Sequence, residues 1–311
     1  MTILLNKDGL RSRVRESDLV KTVRKRGVPY LLLSPTAILM LVFLVYPLGS
    51  IFYFSLQNYN VSKPWDNGYV GLGNFITMMH DALFWSSLRV TANWVVAEVS
   101  LQLTFGLIMA LIVNEAFKGR GLARAVLFSP WAVSGVLTTT IWLLIYNPAV
   151  GVNKYLADMG IGQYGASPLA GADSAFWAAV LAELWRGVPF FTILILADLQ
   201  SASGELYEAA QVDGAGRLRR FWNITLPHLK NSIILATLLR VVWEFNNVDL
   251  LYTLTGGGPA NATTTLPLYV ARTAITSKDF GYGASLTVAA FIILSIITIL
   301  YLRLTKFGKG L

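Results

Sequence analysis

The sequence contains no cysteine, only two histidines and few charged residues. Without cysteine the chain can form no disulfide framework, no thiol nucleophile and no thiolate-bound zinc or iron–sulfur site. Two histidines leave little room for histidine-based metal chemistry. Charged residues make up 14% of the chain and hydrophobic types 55%, whereas a soluble domain carries about 25% charge. These proportions exclude an ordinary soluble globule, and the high hydrophobicity excludes a disordered chain.

The apolar residues are concentrated in six long segments. Because about 20 apolar residues span the hydrocarbon of a bilayer, we predict an all-α polytopic membrane protein with six transmembrane helices. The first segment is too long for the apolar core of a signal peptide, which has about 7–15 residues, so it is expected to remain as an uncleaved helix. The predicted spans are Tyr30–Leu56, Val90–Val113, Ala125–Tyr146, Ser174–Ala197, Ser232–Leu254 and Gly281–Leu302.

The basic residues are distributed unevenly between the two sides of these spans. Eighteen lie in the N-terminal segment, the loops after the second and fourth spans and the C-terminal tail, against five in the opposite loops. Basic residues mark the cytoplasmic side, so both termini are predicted to be cytoplasmic. The same bias accounts for the net charge of +8 without nucleic acid. We predict a basic cytoplasmic arm at 1–28, a transmembrane domain at 29–306 and a cytoplasmic tail at 307–311.

No motif in the chain indicates covalent chemistry or nucleotide binding. The sequence lacks the phosphate-cradling GxxxxGK[ST], the zinc-binding HExxH and the nucleophilic GxSxG patterns. A membrane-embedded enzyme would need a nucleophile and base or a metal site, and neither is indicated. A transporter of this composition is therefore driven either by an ion gradient or by another subunit.

The longest internal cytoplasmic loop, residues 201–230, is amphipathic rather than merely polar. Ser203 is a predicted N-cap for a short helix, and Gly214 and Gly216 are predicted to end that helix. A second short segment, Leu218–Ile224, is expected to run to Pro227, which can open the next helix. The loop is thus predicted to form a helix–turn–helix on the membrane face, too small to bury its apolar side alone.

This loop resembles the EAA signature of binding-protein-dependent ABC transporter permeases. The fixed positions Glu208-Ala209-Ala210, Gly214, Ile224 and Leu226-Pro227 occur at the family spacing. Three further segments resemble the maltose-type carbohydrate uptake branch, and the resemblance extends from about residue 30 to residue 306. Those segments are Tyr69–Phe75, Asn246–Leu266 and Phe280–Ser285.

The resemblance implies an architecture and a set of partners. It implies the type I ABC importer permease arrangement, in a bacterial inner (plasma) membrane, with alternating access by rocking of two bundles. The implied partners are a second homologous permease subunit, two ABC ATPase subunits and an extracytoplasmic solute-binding protein. ATP and magnesium would bind the ATPase subunits, so this chain itself is expected to hold no cofactor or metal and to catalyse no reaction.

In that family the EAA helix docks into a groove of the ATPase and transmits its movement. The resemblance therefore implies that the residues that couple this chain to the ATPase are Glu208, Ala209, Ala210, Asp213 and Gly214.

Charged residues within the spans are costly and usually face the bundle interior or a water-filled path. In the fourth and fifth spans the charged residues and some uncharged neighbours fall at offsets of three, four and seven residues, which places them on one helical face. The family resemblance selects the same positions as the solute pathway, although several of them are neutral in the maltose permease, which argues against maltose as the solute. The pathway residues are Glu183, Arg186, Gly187, Phe190, Arg240, Glu244 and Asn247.

Two interpretations of these charges remain open from the sequence. In one, Arg186 and Arg240 bind an anionic group of a sugar or sugar derivative. In the other, the arginines form ion pairs with Glu183 and Glu244 that hold the bundle, and a neutral sugar binds beside them. Several tryptophans of the spans could stack on sugar rings or simply pack. On the second span, Glu98 shares a face with Gln102, and these two could line the path or contact the partner permease.

The predicted function is passage of a carbohydrate-type solute through an ATP-driven importer. The alternative is a gradient-driven secondary transporter, which would also carry intramembrane charges. Such a transporter needs no EAA loop and usually shows inverted repeats or broken helices.

Overall fold

The computed structural model describes residues 29–161 and 163–305, and nearly all of the regular structure in these ranges is helical. The predicted all-α class is confirmed. The predicted basic arm at 1–28 and the tail at 307–311 lie outside the described residues. Contacts divide the chain after Phe54 into two units.

The described residues of the first unit belong to one long helix, α1, at Pro29–Ser55. It has a mean hydropathy of 2.2 and matches the first predicted span. A π-helical turn at Leu41–Val45 lies just before Pro47, whose ring cannot supply the usual helical hydrogen bond. Most side chains of α1 are exposed and apolar, as expected of a helix with a length and composition suited to hydrocarbon.

The second unit begins with a small antiparallel ribbon and continues as a helical bundle. In the ribbon, β1 (Gln57–Asn58) pairs with β2 (Gly68–Tyr69), with Gln57 opposite Tyr69. The helices are α2 Gly73–His80, α3 Ala82–Asn114, α4 Arg120–Ala132, α5 Gly135–Ile145, α6 Val152–Asp158, α7 Ala172–Ser201, α8 Gly204–Val212, α9 Arg217–Arg220, α10 Leu226–Phe245, α11 Asp249–Leu254, α12 Leu266–Ala271 and α13 Phe280–Thr305. A 3₁₀ turn lies at Pro64–Asp66, and π-helical turns lie at Phe221–Thr225 and Arg272–Thr276.

Four helices in the described part of the chain, α1, α3, α7 and α13, are long and apolar enough to cross a membrane. The third predicted span, Ala125–Tyr146, is not one helix, because α4 and α5 meet at an angle of 101°. Pro130 lies near the end of α4, and Ser134 caps α5 by accepting from the backbone N–H of Leu137. A proline close to a helix end and a new N-cap four residues later favour such a break.

The fifth predicted span also differs from one continuous helix. Its residues form α10 and α11, which are separated by Asn246–Val248. Lys230, Arg240 and Glu244 lower the mean hydropathy of α10. α10 is therefore not among the helices that are apolar enough to cross a membrane. The described helices thus include four possible spans, or five if α4 and α5 count as one, and the count of six stays a prediction.

Three helices form the centre of the bundle. α3 packs along α7, and α10 packs against both. α3 and α7 can approach closely because α3 has Gly106 at the crossing, where a Cβ would overlap Phe191. Trp94, Phe191 and Leu229 at this centre are at most 1% exposed. Such close packing makes the three helices a rigid frame for side chains on their facing surfaces.

A carboxylate at the start of α3 ties three helices together. Asp81 caps α3 by accepting from the Leu83 backbone N–H at 2.8 Å. Its other oxygen accepts from the hydroxyls of Tyr269 on α12 and Tyr282 on α13, both at 2.7 Å. Burial alone would raise the pKa of Asp81, but these hydrogen bonds outweigh it and hold the pKa below the usual aspartate value.

Candidate functional site

Charged and polar side chains from α3, α7 and α10 meet in one buried cluster. The members at most 5% exposed are Glu98, Gln102, Glu183, Arg240 and Glu244. Each helix supplies its residues at intervals of three or four, because only that spacing keeps them on the face that points to its neighbours.

On α7, Arg186 forms a two-point hydrogen-bonded pair with Glu183. Nη2 and Nε of the guanidinium donate to the two carboxylate oxygens at 2.9 and 3.1 Å. The Glu183 carboxylate is almost fully buried, whereas the Arg186 side chain keeps 29% of its surface exposed. This fork-to-fork geometry is the strong form of the arginine–carboxylate pair. It leaves the outer edge of Arg186 accessible.

On α10, Arg240 is surrounded by acceptors. Its Nη2 donates to Glu183 on α7 at 3.1 Å and also to Glu244 one helical turn along. The rings of Phe190 and Trp243 lie against the guanidinium, with their centroids 5.7 and 5.9 Å from its central carbon. The protein therefore bonds Nη2 of Arg240 and places two aromatic rings against the guanidinium, whereas no hydrogen bond is found to its Nη1 among the described residues.

Gln102 on α3 connects the cluster to the third helix. Its Oε1 accepts from Nε of Arg240 at 2.7 Å, which fixes the orientation of the amide. Its Nε2 then donates to Glu98 at 2.8 Å and to Glu244 at 3.1 Å. One neutral side chain thus bridges two carboxyl groups and a guanidinium.

The absence of a side chain at Gly187 makes this junction possible. A Cβ on Gly187 would overlap both the Gln102 amide and the Arg240 guanidinium. Gly187 does not need a left-handed backbone, so the requirement is for space. Gly187 and Phe190 therefore shape the cluster, and neither lines the cavity described below.

The remaining oxygen of Glu244 is also occupied. Its Oε2 accepts from the indole N–H of Trp94 and from the side-chain amide of Asn247, both at 3.2 Å. Oε1 of Glu98 is buried in this cluster and has no hydrogen-bond partner among the described residues. Buried ions are stable when paired and hydrogen-bonded, and the four-residue set of Glu183, Glu244 and the two arginines meets that condition.

A cavity of about 390 Å³ opens beside the cluster. Its wall contains the predicted residues Glu183, Arg186, Arg240, Glu244 and Asn247. It also contains Asn246 and Asp249, which the sequence did not single out, and two of the tryptophans that could stack on sugar rings, Trp131 and Trp243. Cavities of about 300–1,000 Å³ with a few convergent polar groups are typical of small-molecule sites.

The helical-face argument could not find Asp249 or Asn246. It extrapolates along one helix, and α10 ends at Phe245, so the residues that follow do not keep its periodicity. Trp131 lies on α4, where the unexpected break to α5 changes which side chains face the bundle. The signals available were the polar residues between Asn246 and Asp249 and the family resemblance of the segment Asn246–Leu266, and neither assigned these side chains to the pathway.

The predicted coupling residues lie on α8 and the turn after it. Glu208, Ala209, Asp213 and Gly214 are exposed, and Ala210 is half-buried. Ser203 occupies the N-cap position as predicted, although its hydroxyl forms no capping hydrogen bond there. α8 ends with the Ala215 N–H donating to the Ala210 carbonyl at 2.9 Å.

The end of α8 depends on the backbone of one residue. Gly214 has a φ of +75°, which glycine adopts at low cost and other residues rarely adopt. The long-range hydrogen bond from α8 runs between the hydroxyls of Tyr207 and Thr225, 3.0 Å apart. α8 and its turn thus present an exposed, defined surface.

The second predicted segment of this loop is wrong in its boundaries. Instead of a separate helix at Leu218–Ile224 followed by a new start at Pro227, α9 runs through the π-helical turn at Phe221–Thr225 directly into α10. The wider π turn accommodates the missing backbone N–H of Pro227 without ending the helix. The loop is therefore one short helix, a glycine turn and the long extension of α10.

Comparison with known proteins identifies the family. The family model described as "Binding-protein-dependent transport system inner membrane component" matches residues 102–307. The chain belongs to this family. It is a multi-pass inner-membrane component of a binding-protein-dependent ABC transport system, and the resemblance found in the EAA loop is confirmed.

Relatives of this permease cover almost the whole chain. It is 37% identical to the trehalose/maltose transport system permease protein of Thermococcus litoralis, with 92% of this chain and 96% of that protein aligned. It is 34% identical to the sulfoquinovosyl glycerol transport system permease protein of Agrobacterium fabrum, over 94% and 97%.

A solved structure shares the fold of this permease. It is a bacterial alginate ABC transporter in complex with an alginate pentasaccharide-bound periplasmic protein. The TM-score is 0.79 at 21% identity, over 93% of this chain and 98% of the other.

Proposed function

We propose that this permease passes a carbohydrate-type solute inward, delivered by an extracytoplasmic binding protein and powered by ATP on separate ATPase subunits. The observation that carries the proposal is the 390 Å³ cavity, which combines Trp131 and Trp243 with amide and charged side chains. Flat aromatic faces and clustered hydrogen-bonding groups suit a ring that carries many hydroxyls. The Thermococcus and Agrobacterium relatives are named for transport of sugars and sugar derivatives, which supports the same class.

The anionic form of this hypothesis depends on two arginines that differ in their surroundings. Arg240 is 5% exposed and donates to three protein side chains, so a solute would compete with these acceptors at Nε and Nη2. Arg186 is partly exposed and faces the cavity. An anionic group on the solute would therefore have to be bound mainly by Arg186.

Coupling to ATP is assigned to α8 and the Gly214 turn. Glu208 and Ala209 are exposed there, and a helix with exposed small side chains can enter a groove on another subunit. The left-handed Gly214 allows the chain to reverse directly beneath that helix. The partners we propose are two ATPase subunits, a second homologous permease and the binding protein, and a chain of the same fold is known with such a periplasmic protein.

Reconstitution in liposomes tests this function. We expect no sugar uptake by this chain alone under an ion gradient, and ATP-dependent uptake once the second permease, the ATPase and the loaded binding protein are added. Replacing Gly214 with valine should abolish uptake while ATP hydrolysis by the ATPase continues, because valine disfavours a φ of +75°.

The control for that variant is Gly204→Ala, since a Cβ at Gly204 meets no atom within 4 Å and its φ is not left-handed. Uptake driven by an ion gradient in liposomes that contain this chain alone would contradict the proposal and favour a secondary transporter.

A further inference from the structure

We infer that Asp249 is a specificity-determining residue that makes the cavity select an uncharged, polyhydroxylated sugar over an acidic one. This inference rests on the proposed carbohydrate transport and decides between the two interpretations of the arginines. It depends on which charges of the cavity wall remain available to a solute after the protein's own bonds are counted.

Most charged groups on the wall already form hydrogen bonds with other side chains of the protein. Both oxygens of Glu183 accept from Arg186, and one of them also accepts from Arg240. Both oxygens of Glu244 accept as well, from Arg240 and Gln102 on one side and from Trp94 and Asn247 on the other. These two carboxylates have little capacity left for solute hydroxyls.

Among the described residues, the charged groups of the wall with free capacity are Arg186, Asp249 and Nη1 of the buried Arg240, which has no hydrogen bond of its own. Arg186 uses Nε and one terminal nitrogen for Glu183, and no hydrogen bond is found to its Nη1. Asp249 is exposed at the first position of α11, and its carboxylate has no hydrogen-bond partner among the described residues. Arg186 and Asp249 interact electrostatically across the cavity that both of them line.

The wall carries two arginines, Arg186 and Arg240. It also carries three carboxylates, Glu183, Glu244 and Asp249, so its formal charge is −1. A neutral sugar can accept from the Arg186 guanidinium and donate its hydroxyls to the Asp249 carboxylate, with Asn246 and the tryptophans beside it. An acidic sugar would gain attraction at Arg186 but would bring a second negative charge near Asp249. Like charges in a partly desolvated site are unfavourable, and discrimination commonly depends on such a repulsive element.

The test compares two sugars that differ by one group. The probes are trehalose and its derivative with one CH₂OH oxidised to a carboxylate. Binding is measured by tryptophan fluorescence on the complete transporter in lipid nanodiscs, since Trp131 and Trp243 line the cavity. We expect the wild type to bind trehalose about tenfold more tightly than the acid, about 1.4 kcal/mol.

Substitutions at Asp249 separate charge from shape. Asp249→Asn should bring the two affinities to within about twofold, because the repelling charge is gone. Asp249→Glu should keep the wild-type preference. The matched control is Asp173→Asn, an exposed carboxylate that lines a different cavity near Trp177, and it should leave the ratio unchanged.

An unchanged ratio in Asp249→Asn, or tighter binding of the acid by the wild type, would overturn this inference while leaving carbohydrate transport intact. If neither sugar bound the wild type or any variant, the carbohydrate class itself would be contradicted, and the inference would fall with it.

Discussion

Nε of Arg240 donates to Oε1 of Gln102 over 2.7 Å, and this bond joins α10 to α3 inside the charged cluster. It sets the orientation of the Gln102 amide, which then donates to Glu98 and Glu244. The two arginines therefore have different roles. Arg240 is part of the framework of the bundle, whereas Arg186 keeps a surface toward the cavity.

Replacing Gln102 with leucine should destabilise the protein, because leucine fills a similar volume but leaves the Arg240 Nε and Glu98 without partners. An unsatisfied buried polar group costs about 1–3 kcal/mol. Thermal unfolding in detergent measures the effect. Gln163→Leu, at an exposed position, is the control and should stay within about 0.5 kcal/mol of wild type. Equal melting temperatures for wild type and Gln102→Leu would show that the bridge contributes nothing.

The two arginines should respond differently to removal. Arg240→Ala leaves Glu183 and Glu244 buried without their shared partner, and breaking a buried pair costs about 3–5 kcal/mol. Arg186→Ala removes a partly exposed side chain and should cost clearly less, while weakening solute binding. Melting temperatures and sugar affinity measured on both variants test this ordering, and a larger loss of stability in Arg186→Ala would reverse the assignment.

The Asp81 carboxylate predicts a pH dependence of stability. Its pKa in the folded protein is lowered, so its contribution is fully present above the unfolded value near 3.8 and is lost as the pH falls through the folded pKa. Asp81→Asn should therefore be less stable than wild type at pH 7, by about 1 kcal/mol. The difference should shrink below about pH 4.

Unfolding at pH 7, 5 and 3.5 measures that difference, with the exposed Asp66→Asn as the control. A destabilisation by Asp81→Asn that is the same at all three pH values would mean that the charge of the carboxylate has no role in tying α3 to α12 and α13.

The sequence was sufficient for the helical class and for the partners within one helix. Glu183 with Arg186 and Arg240 with Glu244 are separated by three or four residues, and helical geometry alone brings such residues together. The link from Arg240 to Glu183 is different, because it depends on how α10 packs against α7, and no local pattern encodes it. The bend between α4 and α5 and the continuous passage from α9 into α10 were missed for a related reason. Pro130 lies near the end of α4, whereas the helix that contains Pro227 continues because a π turn precedes that proline.

Asp249 shows the same limit within the site. Its place in the cavity follows from the break after Phe245, where the chain leaves the periodicity of α10. Asp249 lies within the predicted fifth span but outside the helical stripe of Arg240, Glu244 and Asn247. Only the packed bundle shows that it shares a wall with Arg186.

The most direct test of the account is the neighbour of Glu208 in the assembled transporter. The chain has no cysteine, so Glu208→Cys provides a single thiol on this chain for a photoreactive cross-linker. We predict a cross-linked product between this chain and the ATPase subunit from Glu208→Cys, and none from the exposed control Lys154→Cys. Cross-links from Glu208→Cys to lipid alone, in a transporter that still hydrolyses ATP and takes up sugar, would contradict the central claim that α8 connects this permease to its motor.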